Sequence, residues 1–137
     1  LNNAEWLDDL NYLTFLLEQA GYEDAADAAA RVMALETELA KAHWDRTVGR
    51  NRNLTYNKLT RDELVALGGD FPVALMLEEL GLSEQENFVV RQVTPDAAEI
   101  EELGLTEEQV EKISGGGIAH IIQVMNTSSL EDWKAYL

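Results

Sequence analysis

Residues 24–48 read DAADAAARVMALETELAKAHWDRTV, and this stretch decides the fold class. Ala28, Val32, Leu35, Leu39 and Ala42 fall on one stripe at helical spacing, while Glu36, Glu38, Lys41 and Asp45 lie largely off it. The alanine run from Ala25 to Ala30, broken only by Asp27, favours helix intrinsically and lets a second helix approach closely. The pattern predicts one helix from Asp24 to Val48. At a rise of about 1.5 Å per residue it would be about 38 Å long, a central element for a bundle.

Toward the N-terminus, Trp6, Leu10, Leu13 and Leu17 predict a helix from Ala4 to Ala20, capped by Asn3 and ended by Gly21. Leu7, Phe15 and Leu16 widen its apolar face, which predicts burial on more than one side. Toward the C-terminus, Gly49 to Leu59 reads as a loop. Thr60 then opens a short helix with Glu63 three residues on, a capping box in which each side chain bonds the other's backbone N–H. Gly68 and Gly69 stop it, and Asp70 and Pro72 start a helix that ends near Leu80 and Gly81. Residues 88–93, FVVRQV, are the only stretch with strand character. Thr94 and Pro95 suit a helix start. Further helices are expected near Glu107 to Ile113 and Ile118 to Met125, separated by Ser114 and three glycines that read as a flexible joint. A last helix begins after Ser129.

Residues 79–86 (ELGLSEQE) and 102–109 (ELGLTEEQ) resemble each other. The shared pattern is punctuation. A helix ends in Leu-Gly, a leucine packs back, and Ser83 or Thr106 caps the next element. The predicted fold class is all-α: a multi-helix bundle with one long central helix and at most one short strand-like segment.

Composition narrows the function. A chain of 137 residues fits one domain with a real core, and 46% hydrophobic residues argue against disorder. A net charge of −16 repels nucleic acid and anionic membranes, so no nucleic acid and no membrane contact by this segment are expected. With no cysteine, disulfides and thiolate chemistry are excluded. No apolar run approaches a membrane span and no signal-peptide pattern opens the chain. The start at Leu1 rather than Met reads as a processed or trimmed piece.

The chemistry-bearing residues are sparse. Neither His43 nor His120 sits in an HExxH pattern, which a zinc site on one helix requires. Glu36 lies seven residues before His43 on the same helical face, so a carboxylate–histidine pair is open beside an ordinary surface contact. His120 reads as a packed histidine in an apolar helix. The acidic pairs, such as Glu78 with Glu79, follow from composition, and adjacent helix positions do not face each other. Residues 115–117 resemble a phosphate loop only in being glycines, since no Gly-Lys-Ser/Thr comes after them. One compositional feature is basic. Of ten Lys and Arg residues, Arg46, Arg50, Arg52, Lys58 and Arg61 fall in one stretch with no acid between Arg46 and Arg61. Such a stretch can bind an anion, a peptide carboxylate or an acidic neighbouring domain, or it can be a cation-favoured helix end leading into a polar loop. Asn51, Asn53 and Asn57 are suited to fixing an irregular backbone through side-chain hydrogen bonds.

The run from Leu35 to Leu64, LETELAKAHWDRTVGRNRNLTYNKLTRDEL, resembles the N-terminal helical region of neprilysin-like zinc metallopeptidases of the bacterial endopeptidase type. The residues that carry the resemblance are Leu35, Glu36, Leu39 and Ala40, then Trp44, Asn51 and Arg52, then Tyr56, Asn57, Lys58, Leu59 and Thr60. Phe71 and Pro72 before a helix ending in Leu80, Gly81 and Leu82, the valines Val89 and Val90, and Leu130, Trp133, Lys134, Tyr136 and Leu137 continue the series. Between Thr94 and Asn126 a longer acidic stretch replaces the family's short Pro-led helix.

The resemblance implies a parent with two lobes around a closed cavity. One lobe holds zinc through HExxH and a downstream ExxxD, and a helical lobe caps the cavity and admits only short peptides. Residues 1–137 would be part of the helical lobe, with the catalytic zinc lobe, its catalytic residues and its metal ligands outside this chain. The implied partners are that lobe and peptide substrates. Implied locations are periplasmic, secreted or membrane-attached. The motif residues are read as structural, and Arg50 and Arg52 are not promoted to substrate contacts. The alternatives are a free-standing acidic helical interaction module and the lid of an inactive family member. A lobe without its partner would expose an apolar face or self-associate through it, with Trp6, Phe15, Ile121, Ile122, Trp133 and Tyr136 as candidates.

Overall fold

The structure is a computed structural model and describes residues 3–137. In chain order it contains α1 (Asn3–Gln19), α2 (Ala25–Ala42), α3 (Arg46–Gly49), α4 (Arg52–Thr55), β1 (Asn57–Thr60), α5 (Arg61–Gly68), α6 (Val73–Glu79), β2 (Asn87–Val90), α7 (Ala97–Glu102), α8 (Glu107–Ile113), α9 (Gly117–Thr127) and α10 (Leu130–Tyr136). The chain is mostly helical, as expected, with one two-stranded sheet among the described residues. It divides into two compact units. The first takes the chain up to Ala40 together with Thr127–Leu137, and the second runs Lys41–Asn126. Among the described residues, no helix is long and apolar enough to cross a membrane.

In the first unit, α2 buries the predicted stripe through Ala25, Ala29 and Leu35, with Ala28, Val32 and Leu39 half-buried. α1 departs from expectation. Asn3 lies inside the helix rather than before it, and no side chain of α1 is buried. Trp6, Leu10, Leu13 and Leu17 form one half-buried stripe, but Leu7, Phe15 and Leu16 are exposed rather than forming a second buried face. Gly21 ends α1 as predicted. It sits at φ +87°, which lets its N–H reach the Glu18 carbonyl and the Tyr22 N–H reach that of Leu17. The same pair of bonds closes α6 at Gly81 and Leu82 and α7 at Gly104 and Leu105, so the two ELGL segments are indeed matching helix stops. Thr106 then caps α8 with Gln109, whereas Ser83 caps no helix because the chain passes into β2.

In the second unit the long helix predicted to reach Val48 is shorter. α2 stops at Ala42, and Asp45 starts α3 by accepting from the Thr47 backbone N–H at 2.8 Å and from its hydroxyl. The interruption turns Trp44 inward, where it is 6% exposed and joins Val48, Leu54 and Ile113 in the core, with Leu103 and Leu105 against it. The stretch expected as a loop, Gly49 to Leu59, instead holds α4 and most of β1. β1 is a second strand where at most one strand-like segment was expected. It pairs antiparallel with β2, Asn57 opposite Val90 and Thr60 opposite Asn87. Polar residues hid it, since Asn57, Lys58 and Thr60 leave only Leu59 as a strand-forming apolar signal. Thr60 caps α5 in the predicted box with Glu63. Gly68 lies close against Val73, which helps hold the α5–α6 corner. Pro72 rather than Asp70 precedes α6, with no side-chain cap. Asp96, not Thr94 or Pro95, caps α7.

Candidate functional site: the asparagine–arginine segment

The motif residues separate into two groups. Leu35, Glu36, Leu39 and Trp133 belong to the first unit. There the Tyr136 hydroxyl donates to the Glu36 carboxylate at 2.7 Å, and Trp133 meets the Tyr136 ring edge-on at 5.8 Å between centroids. Glu36 is therefore engaged by Tyr136. His43 is exposed in the bend after α2, and His120 is half-buried in α9. The Glu36 bond raises the Tyr136 pKa above the ordinary phenol value, with burial adding to it. Nearby, Arg31 donates to Asp27 and to Asp132, linking α2 to α10. Asp132 also closes the Ser129 capping box. Its carboxyl is held below the usual range, first by the Ser129 hydroxyl and then by Arg31.

Trp44, Asn51, Arg52, Tyr56, Asn57, Lys58 and Thr60 belong to the second unit. Asn51 and Asn57 do what the sequence suggested. Asn51 caps α4 by accepting from the Asn53 N–H, and the Asn57 amide donates to the carbonyls of Leu54 at 3.0 Å and Val90 at 3.1 Å. Asn57 thereby ties the end of α4 to the ribbon. With Leu54 and Thr55 buried beneath, the segment is a short capped helix rather than a loop. Its cations point outward: Arg46, Arg50, Arg52 and Lys58 are exposed and Arg61 is half-buried.

Two features were missed by sequence reasoning. Gln92 adopts φ +56°, uncommon for a residue with a side chain. Its side-chain oxygen accepts from the Trp44 N–H at 3.2 Å and its backbone carbonyl from the Ile118 N–H at 2.9 Å. Gly116 and Gly117 come against this junction. A Cβ on Gly117 would stand 2.3 Å from the Gln92 carbonyl oxygen, and one on Gly116 would stand 2.9 Å from that of Ala42. The triplet read as a flexible joint is thus a site of close backbone packing. The Trp44 indole N–H lies buried there with no acceptor among the described residues. The second missed feature is Arg91, exposed just past β2, which shares a groove with Arg52.

No group of three or more His, Asp or Glu side chains converges as a metal site among the described residues. A family model described as Peptidase family M13, covering its N-terminal part, matches residues 3–137. The chain belongs to peptidase family M13, the neprilysin-like metallopeptidases, and matches the N-terminal part of that family. No curated protein and no solved structure matches the chain.

Proposed function

We propose that this chain is the non-catalytic helical lobe of a zinc-dependent metalloendopeptidase that cleaves oligopeptides. In this reading it serves as lid and size filter over the cavity. The carrying observation is the family match over residues 3–137. The metal would be bound by the parent's catalytic lobe, where it would activate a water for attack on the peptide carbonyl. That lobe and short peptides are the proposed partners.

The character of α1 supports the reading. Leu7, Tyr12, Phe15 and Leu16 are 51%, 65%, 53% and 43% exposed on a helix that is apolar around much of its circumference. Such a helix is suited to burial against more protein. We assign that role to the remainder of the parent, with self-association of the isolated chain as the competing outcome. The test is the longer reading frame. It should encode HExxH downstream of Leu137, and the purified parent should cleave short peptides but spare folded proteins, losing activity to a zinc chelator. An intact frame without HExxH sinks the peptidase proposal. Equal cleavage of large folded substrates sinks the filter role while leaving the peptidase standing. Against the reading of a free-standing acidic module, this chain alone should not capture a basic partner saturably.

A further inference from the structure

We propose that the groove between α4 and the end of β2 binds a short acidic peptide segment through Arg52 and Arg91. The groove has a volume of about 460 Å³ and is lined by Arg52, Asn53, Thr55, Tyr56, Val89 and Arg91. Among the described residues, no carboxylate lines it. The other grooves described all contain acidic residues: Glu23, Asp24 and Asp27 in one, Glu38 and Asp132 in another, Asp62, Glu84 and Glu86 in a third, Glu99 and Glu102 in a fourth. In a chain with 26 acids and 10 bases, a concave surface with two arginines and no acid is a local reversal of charge.

The arginines are also uncommitted. Among the described residues, Arg46, Arg50, Arg52, Lys58, Arg61 and Arg91 enter no ion pair, whereas Arg31, Lys112 and Lys134 each have a carboxylate partner. A guanidinium offers a planar fork of donors that matches a carboxylate, and clustered arginines are a recurrent way of holding acidic motifs. Tyr56 and Val89, 65% and 57% exposed, flank the cations with apolar surface for the peptide's other side chains. In its floor Thr55 is buried, and Asn57 bonds the end of α4 to the ribbon.

The surroundings select among anions. The adjoining groove shares Asn53 and Tyr56 but carries Glu99 and Glu102. A continuous polyanion such as nucleic acid, or an extended anionic membrane, would meet those carboxylates and the field of a chain of charge −16. A segment with two or three acidic residues fits within the basic stretch. The inference stands independently of the peptidase assignment, since it uses only this surface.

The test is fluorescence anisotropy on the full 137-residue chain with a labelled six-residue peptide of alternating Glu and Val, beside its Gln–Val counterpart. The acidic peptide should bind saturably, at least tenfold more tightly than the Gln version, and more weakly as salt rises. Arg52→Gln with Arg91→Gln should weaken binding at least tenfold with the circular dichroism spectrum unchanged. Lys134→Gln, in the other unit and not among the groove's lining residues, should leave it as it was. No saturable binding of the acidic peptide, equal binding of the Gln peptide, or full retention by the double variant overturns the proposal. So does binding of phosphatidylserine vesicles or a single-stranded oligonucleotide as tight as that of the peptide.

Discussion

The two units bury their apolar residues differently. The second encloses Trp44, Val48, Leu54 and Ile113 among several short helices and seats Gly116 and Gly117 directly against backbone. The first rests on amphipathic helices, and neither α1 nor α10 contributes a fully buried side chain. Helical periodicity alone therefore does not say how much a helix buries. Trp6, Leu10, Leu13 and Leu17 of α1 are as apolar as Trp44, Val48 and Leu54, yet only the latter three are fully buried. Stability should accordingly be concentrated in the second unit, with α1 opening most readily.

The largest expected effect is Ile113→Ala. Ile113 is the largest side chain that is almost wholly buried, at 1% exposure. Its truncation should cost about 2–5 kcal/mol, read from urea unfolding monitored by tryptophan fluorescence. Leu13→Ala in the half-buried stripe of α1 should cost less than half as much. Equal losses at the two sites would erase the contrast between the units. Amide hydrogen exchange sharpens the same point: the core segments around Leu54 and Ile113 should be protected longer than α1.

Next comes the glycine triplet, which separates conformation from packing within one sequence. Gly115 and Gly117 both adopt positive φ, +71° and +78°, but only Gly117 faces backbone at close range. Gly115→Ala should show backbone strain alone, about 1 kcal/mol. Gly117→Ala adds displacement of the Gln92 carbonyl and should cost about 3 kcal/mol or more. Similar unfolding midpoints for the two variants would show that the Gln92 junction yields easily. Thr60→Ala comes third, at about 1 kcal/mol, because it removes the bond to the Glu63 N–H at the head of α5. A loss confined to α5 exchange, without a change in the unfolding midpoint, would place that helix outside the cooperative core.

Much of this architecture was legible because its signals are local. Gly21, Gly81 and Gly104 stop helices by a geometry that needs a residue tolerant of positive φ, and Thr60, Thr106 and Ser129 start helices by bonds to residues three positions on. The features that escaped the sequence depend on distant partners. β1 is a strand because β2 lies beside it, not because NKLT favours one. α2 stops before Trp44 although its helical stripe continues, since the Asp45 cap and the Gln92 acceptor together outweigh continuation. The basic segment was visible by composition, but its concavity was not. Arg91 joins Arg52 only through folding across a separation of 39 residues, 91 minus 52.

The smallest predicted effect concerns pH, and it tests the lightly packed unit. Asp132 has a folded-state pKa below its ordinary value, owing first to Ser129 and then to Arg31. Its stabilising contribution is therefore complete above the unfolded carboxylate value, about 4, and is lost as pH falls through the lower folded value. Tyr136 has the opposite sign. Its raised pKa means that the hydrogen bond to Glu36 contributes fully below about pH 10 and is lost as the phenol ionises in the folded state. The difference in melting temperature between wild type and Asp132→Asn should therefore narrow below about pH 4. That between wild type and Tyr136→Phe should narrow above about pH 10, as the phenol ionises. Because the Arg31–Asp132 pair is solvent-accessible, salt should shrink the first difference and leave the second largely intact. If the Tyr136→Phe difference stayed constant through the alkaline range, the bond to Glu36 would contribute nothing, and α10 would be held on α2 through the Asp132–Arg31 contact instead.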